Sequence, residues 1–100
     1  MTLPQMITEL SEIAPQFGLT VRLENGRFAG GLCIVNGEQL IVLNKRHPPE
    51  RQFAVLAAAL RSAPLDDVYV KPSIRRALEE AWERLDRGVP AGGDEEAGDE

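Results

Sequence analysis

Apolar residues recur along the first stretch of the chain at three- and four-residue spacing: Leu3, Met6, Ile7, Leu10, Ile13 and Ala14. On a helix these positions share one face, so residues 3–17 are expected to form an amphipathic helix. Pro4 falls in the first turn, where a missing amide hydrogen is tolerated, and Pro15 with Gly18 ends the pattern.

From Leu19 the period changes to two. Leu19, Val21 and Leu23 alternate with Thr20, Arg22 and Glu24, and two Asn-Gly pairs, Asn25-Gly26 and Asn36-Gly37, separate three runs: 19–24, 27–35 and 38–45. Asn-Gly suits a two-residue hairpin turn because both central positions need positive φ. The pattern therefore predicts a three-stranded antiparallel meander. Its register sets Leu23 opposite Phe28 and Leu19 opposite Leu32 across the first turn. Across the second it sets Val35 opposite Glu38, Ile34 opposite Gln39 and Leu32 opposite Ile41. Leu19, Val21, Leu23, Phe28, Leu32, Ile34, Ile41 and Leu43 then line one face. Ala29, Gly31, Cys33, Val35, Leu40 and Val42 line the other. A solvated face would be polar at those six positions, so this face is expected either to be covered by the third helix or the connector near Tyr69, or to meet another chain. Gly30-Gly31 in mid-strand predicts a bulge or a close approach by a helix.

Pro48-Pro49-Glu50 opens a second helix running to about Ser62, with Phe53, Leu56, Ala57 and Leu60 as its apolar stripe and Pro64 as its stop. Pro72 opens a third, whose face carries Ile74, Leu78, Ala81, Trp82 and Leu85 and which ends at Gly88. The expected fold is α+β in the order αβββαα: one domain over residues 1–87 and a disordered acidic tail over 88–100.

Charge changes the picture in one respect. The net charge of −5 comes from the tail, which holds Asp94, Glu95, Glu96, Asp99 and Glu100 and no base. The rest of the chain has equal numbers of acids and bases, which gives no reason to expect nucleic acid as a partner. No stretch is apolar for the ~20 residues of a membrane span, and the first residues do not read as a signal peptide, so the expected location is the cytoplasm. Cys33 is the single cysteine, which excludes an internal disulfide.

Three segments carry a resemblance: Ile41-Val42-Leu43-Asn44, Pro49-Glu50-Arg51-Gln52 and Leu56-Ala57-Ala58-Ala59-Leu60. Together they resemble the ImmA/IrrE-type peptidases and their minimal relatives, the minigluzincins. There a strand ending in Asn, a Pro-Glu-Arg segment and a helix bearing Ala-His-Glu-Leu-x-x-His follow in that order. Zinc chemistry on such a helix needs imidazoles at i and i+4 and a glutamate between them to activate water. The resemblance puts Ala58 and Ser62 where the histidines belong and Ala59 where the glutamate belongs; a one-residue shift gives Ala57, Ala58 and Arg61. Neither set can ligate a metal. The resemblance thus implies a scaffold with neither zinc nor another cofactor, and the family's peptide cleavage does not carry over.

Other candidate chemistry is sparse. Cys33 could act as a nucleophile with His47 as base and Arg51 nearby, but alternation puts Cys33 in mid-strand opposite Leu40, where a thiol serves as small apolar filler. His47, the single histidine, precedes two prolines in a loop and is expected to be solvated. Glu79, Glu80 and Glu83 share the third helix with Arg75, Arg76, Arg84 and Arg87 and read as an ion-paired outer face. Asp66-Asp67 offers too few ligands for a cation. Lys45, Arg46 and Arg51 cluster where an anion could meet a helix N-terminus, although Pro48 and Pro49 lack amide hydrogens. The expectation is a non-enzymatic protein-interaction module, homodimeric, acting through Ala29, Gly31, Cys33, Val35, Leu40 and Val42 or through a strand edge. The competing expectation is a metal-independent enzyme with a site at Cys33, His47 and Arg51.

Overall fold

The computed structural model describes residues 1–88, so the expected acidic tail lies, from residue 89 on, outside the described residues. Helix α1 spans Leu3–Ile13 and passes into a 3-10 turn at Ala14–Phe17. A reciprocal cap starts it: the Gln5 amide donates to Thr2 Oγ1 (3.3 Å), and the Thr2 amide donates to Gln5 Oε1 (2.9 Å). Strands β1 (Leu19–Glu24), β2 (Gly31–Val35) and β3 (Glu38–Asn44) follow, then α2 (Pro49–Leu60), a 3-10 turn at Leu65–Asp67 and α3 (Pro72–Asp86). The α+β class and the element order are as the sequence predicts.

The sheet differs in its topology. Its order is β1-β3-β2: β1 pairs parallel with β3, and β2 pairs antiparallel with β3 from the other side. The second hairpin has the predicted register, with Val35 opposite Glu38, Cys33 opposite Leu40 and Gly31 opposite Val42. Asn36 and Gly37 have φ of 51° and 83°, as a two-residue turn of this type requires. The first hairpin does not form, and the meander is replaced by a mixed sheet. Leu19, Val21 and Leu23 lie beside Gln39, Ile41 and Leu43, and Phe28 belongs to no strand.

Burial explains the exchange. The centre of a sheet takes a strand that is apolar on both faces, and two unbroken apolar runs compete for it, Leu32-Cys33-Ile34-Val35 and Leu40-Ile41-Val42-Leu43. The second run, 27–35, carries Gly30-Gly31 in its interior, which weakens a central strand, whereas the third, 38–45, contains no glycine. The chain from Asn25 to Gly30 must then cross two inter-strand spacings, about 9.6 Å, well within its reach of about 20 Å.

The core lies on one side of the sheet. Ile41 and Leu43 of β3 pack with Leu19 of β1, Ile7 and Leu10 of α1, and Phe53, Leu56 and Leu60 of α2. Ile74 and Leu78 of α3 join the same cluster. Trp82 Nε1 donates to the Ala57 carbonyl at 2.7 Å. The Arg61 amide turns to Ala58 O at the end of α2, so the indole takes over a carbonyl that the last helical turn no longer serves. Lys71 Nζ lies 2.8 Å from Glu9 Oε2 and ties the start of α3 to α1.

Candidate functional site

Two features converge at β2. The first is a groove of about 340 Å³ between the start of β2 and the second half of α2. Gly30, Gly31 and Leu32 form one wall, and Val55, Ala58, Ala59 and Ser62 form the other. Positions 58, 59 and 62 are the three that the resemblance equates with the metal ligands and the base, and α2 with the turn after it brings all of them to the groove. The shifted set fares differently: Ala57 is fully buried in the core, and Arg61 is bound to Asp86 at 2.7 Å. The groove presents methyl groups and one hydroxyl. Among the described residues no group of three or more His, Cys, Asp or Glu side chains is arranged to hold a metal ion. Zinc does not fit this site, because alanine offers it no lone pair and one serine hydroxyl is too little.

Gly30 makes the close approach possible. Its φ is +88°, and a Cβ there would stand 2.6 Å from the Val42 carbonyl oxygen and 3.6 Å from Val55 Cγ1. The expected contact with a helix is therefore present, together with a tighter one to β3.

The second feature is the free edge of β2. Leu32 and Ile34, expected in the core, do point to the helix side with Ile41, yet they are 51% and 69% exposed. They overhang the helices because β2 is an edge strand and not the centre of the sheet. In a two-residue hairpin the pair flanking the turn is hydrogen-bonded, and bonded pairs alternate from there. Val35, Cys33 and Gly31 thus bond to β3, while Leu32 and Ile34 direct their N–H and C=O groups outward. No charged residue and no proline guards residues 31–35. The opposite edge, β1, carries Arg22 and Glu24, paired at 3.3 Å.

The other sheet face also needs correcting. Among the described residues neither α3 nor the connector covers it: α3 packs on α2, and Tyr69 is 77% exposed. Ala29, Cys33 and Val35 are exposed, Gly31 and Val42 half-buried, and Leu40 is buried between the neighbouring strands but outside the core cluster. Cys33 is accordingly not core filler; its Sγ reaches only the Gly31 carbonyl, at 3.8 Å.

Compared with known proteins, the chain matches no family model, no curated relative and no solved structure. Its chemistry must be read from its own geometry.

That geometry separates Cys33 from His47. Cys33 sits opposite Leu40, and His47 follows Asn44 at the far end of β3, a distance of about 13 Å along the strand. His47 is half-buried, not solvated, and its carbonyl accepts from Gln52 Nε2 at 3.0 Å. The acidic face of α3 is ion-paired as expected: Arg75 bridges Asp66 (3.0 Å) and Glu79 (3.2 Å), and Arg87 meets Glu83 (3.6 Å). The hydrogen bond to Asp66, then that to Glu79, raises the Arg75 guanidinium above its ordinary range. Asp66 is thereby committed to Arg75. No described helix is long and apolar enough to cross a membrane.

One residue with a structural role escaped sequence reasoning. Asn44, 2% exposed, donates from Nδ2 to the carbonyls of Gly26 (2.9 Å) and Phe28 (2.8 Å), and its Oδ1 accepts from the Arg46 amide (2.9 Å). It clamps the crossing loop that feeds β2. The available signal was an amide directly following the apolar run at residues 40–43.

Proposed function

We propose that this protein is a non-enzymatic, homodimeric interaction module, built on a scaffold similar to the ImmA/IrrE-type peptidases and minigluzincins but without their metal site. The observation that carries this reading is an unguarded apolar strand edge beside a groove whose lining can neither hold zinc nor move a proton. The convergence of Ala58, Ala59 and Ser62 on that groove supports the resemblance, since a peptidase of that family would need its ligands and base there. The reading places the protein in the cytoplasm, where an exposed thiol such as Cys33 stays reduced. The separation of Cys33 from His47 counts against the enzyme alternative.

Sedimentation velocity on the full chain tests the interaction. A small interface of this kind, under ~1,200 Å², is expected to give a reversible dimer at roughly 10–100 µM. A monomer across that range would remove the proposal. The scaffold is tested separately. The double variant Ala58→His/Ser62→His sets two imidazoles beside the groove and is expected to bind zinc weakly, but measurably more tightly than the unmodified chain, since two ligands fall short of the three that a lasting site needs. If the folded variant binds zinc no better than the unmodified chain, the two positions do not converge as described.

A further inference from the structure

The two features at β2 fit each other across a two-fold axis. Resting on the interaction reading above, we propose that β2 pairs antiparallel with β2 of a second copy about an axis through Cys33. Ile34 of each copy then enters the groove beside Leu32 of the other.

Backbone geometry selects the register. The outward N–H and C=O groups belong to Leu32 and Ile34, so a bonded antiparallel pair sets Leu32 of one copy against Ile34 of the other, twice. Cys33, midway between them, then faces Cys33 in a non-bonded pair. Shape supports the same register. Ile34 is the most exposed of the large apolar side chains on β2, at 69%, and lies on the same side of the sheet as the groove lined by Leu32, Val55, Ala58 and Ala59. The register that pairs Ile34 with Leu32 brings this protruding side chain to the mouth of the groove in both copies.

Charge is compatible with a second copy: residues 31–35 carry none, so the strand meets its own image without repulsion. The product is a six-stranded sheet, β1-β3-β2-β2-β3-β1, whose outer edges are the charged β1 strands. It leaves no unguarded edge.

Cys33 reports the register. Facing residues in a non-bonded pair have Cα atoms about 4.5 Å apart, within the span of a disulfide. Oxidised glutathione serves as the oxidant: each Cys33 thiol loses a proton, one S–S bond forms, and two electrons reduce the glutathione disulfide to two thiols. The expected result on the full chain is a covalent dimer, with Ile34→Asp lowering both cross-linking and reversible association by about 100-fold, because a charge would enter the apolar groove. Covalent dimer from Cys33→Ser/Ile34→Cys in place of the natural thiol would overturn this register. A reversible dimer that cross-links through neither residue would overturn pairing at β2 while leaving the interaction reading standing. A chain that stays monomeric and uncross-linked would sink both.

Discussion

Asn44→Asp is expected to destabilise the protein by about 3–5 kcal/mol near neutral pH, the range for leaving an uncompensated charge in a buried site. The substitution is nearly isosteric, so packing is preserved and the effect is chemical. Asn44 is 2% exposed, and its Nδ2 faces two carbonyl oxygens at 2.9 and 2.8 Å. A carboxylate has no hydrogen to donate and would turn negative charge toward both acceptors. Burial and those carbonyls must raise the new carboxyl's pKa in the folded state above the ~3.9 of a free aspartate. The penalty is therefore absent below the unfolded pKa and reaches its full size above the raised folded one. Lowering the pH from 8 toward 4 should narrow the gap to the unmodified protein. Thermal melts at several pH values check this, with a drop of roughly 15 °C expected at pH 7 for a domain of this size. An unchanged melting temperature would mean that the clamp on the crossing loop is not formed.

Gly30→Ala carries the second large effect, a loss of about 2–4 kcal/mol. At a φ of +88° an L-residue is strained, and the added Cβ would stand 2.6 Å from the Val42 carbonyl oxygen. That oxygen belongs to the backbone of the central strand and cannot rotate away as a side chain would. The relief available is for the start of β2 to move off β3, which opens the groove and distorts the free edge. Amide exchange in β2 is expected to accelerate more than in β1, and dimerisation should weaken together with stability. Gly31→Ala is the control. Its φ is +135°, but a Cβ there meets nothing within 4 Å, so backbone strain acts without a collision. Equal effects of the two substitutions would place the importance of the pair in φ alone and not in the approach to β3.

These positions also divide what could be read from the chain from what could not. Helix periodicity was legible because α1, α2 and α3 each bury one stripe against the same cluster, so spacing alone identifies Leu10, Leu56, Leu60 and Leu78 as core. The second Asn-Gly formed its hairpin because Val35 closes one strand and Glu38 opens the next in a register that keeps Leu32 opposite Ile41. The first Asn-Gly offered the same local signal and did not form one. A local preference worth a fraction of a kcal/mol yields to burial of a strand that is apolar on both faces. The candidate site shared that fate. Of the six residues expected on the second face, Gly31, Cys33, Val35, Leu40 and Val42 lie on the paired strands β2 and β3 and Ala29 lies before them; the overhang of Leu32 and Ile34 depended on which strand took the centre. Ala58, Ala59 and Ser62 were singled out in the sequence only by the resemblance, and the groove that they line depended on the placement of β2 against α2.

By itself the sequence determined the order of helices and strands, the side of each strand that turns to the core, and the absence of metal-binding side chains at positions 58, 59 and 62, because all three depend on residue type and local spacing. Only the tertiary structure decided the strand order, and with it the free edge, the groove and the clamp at Asn44. Strand order is settled by competition among distant segments for the most buried position in the sheet, and no window of neighbouring residues contains that comparison.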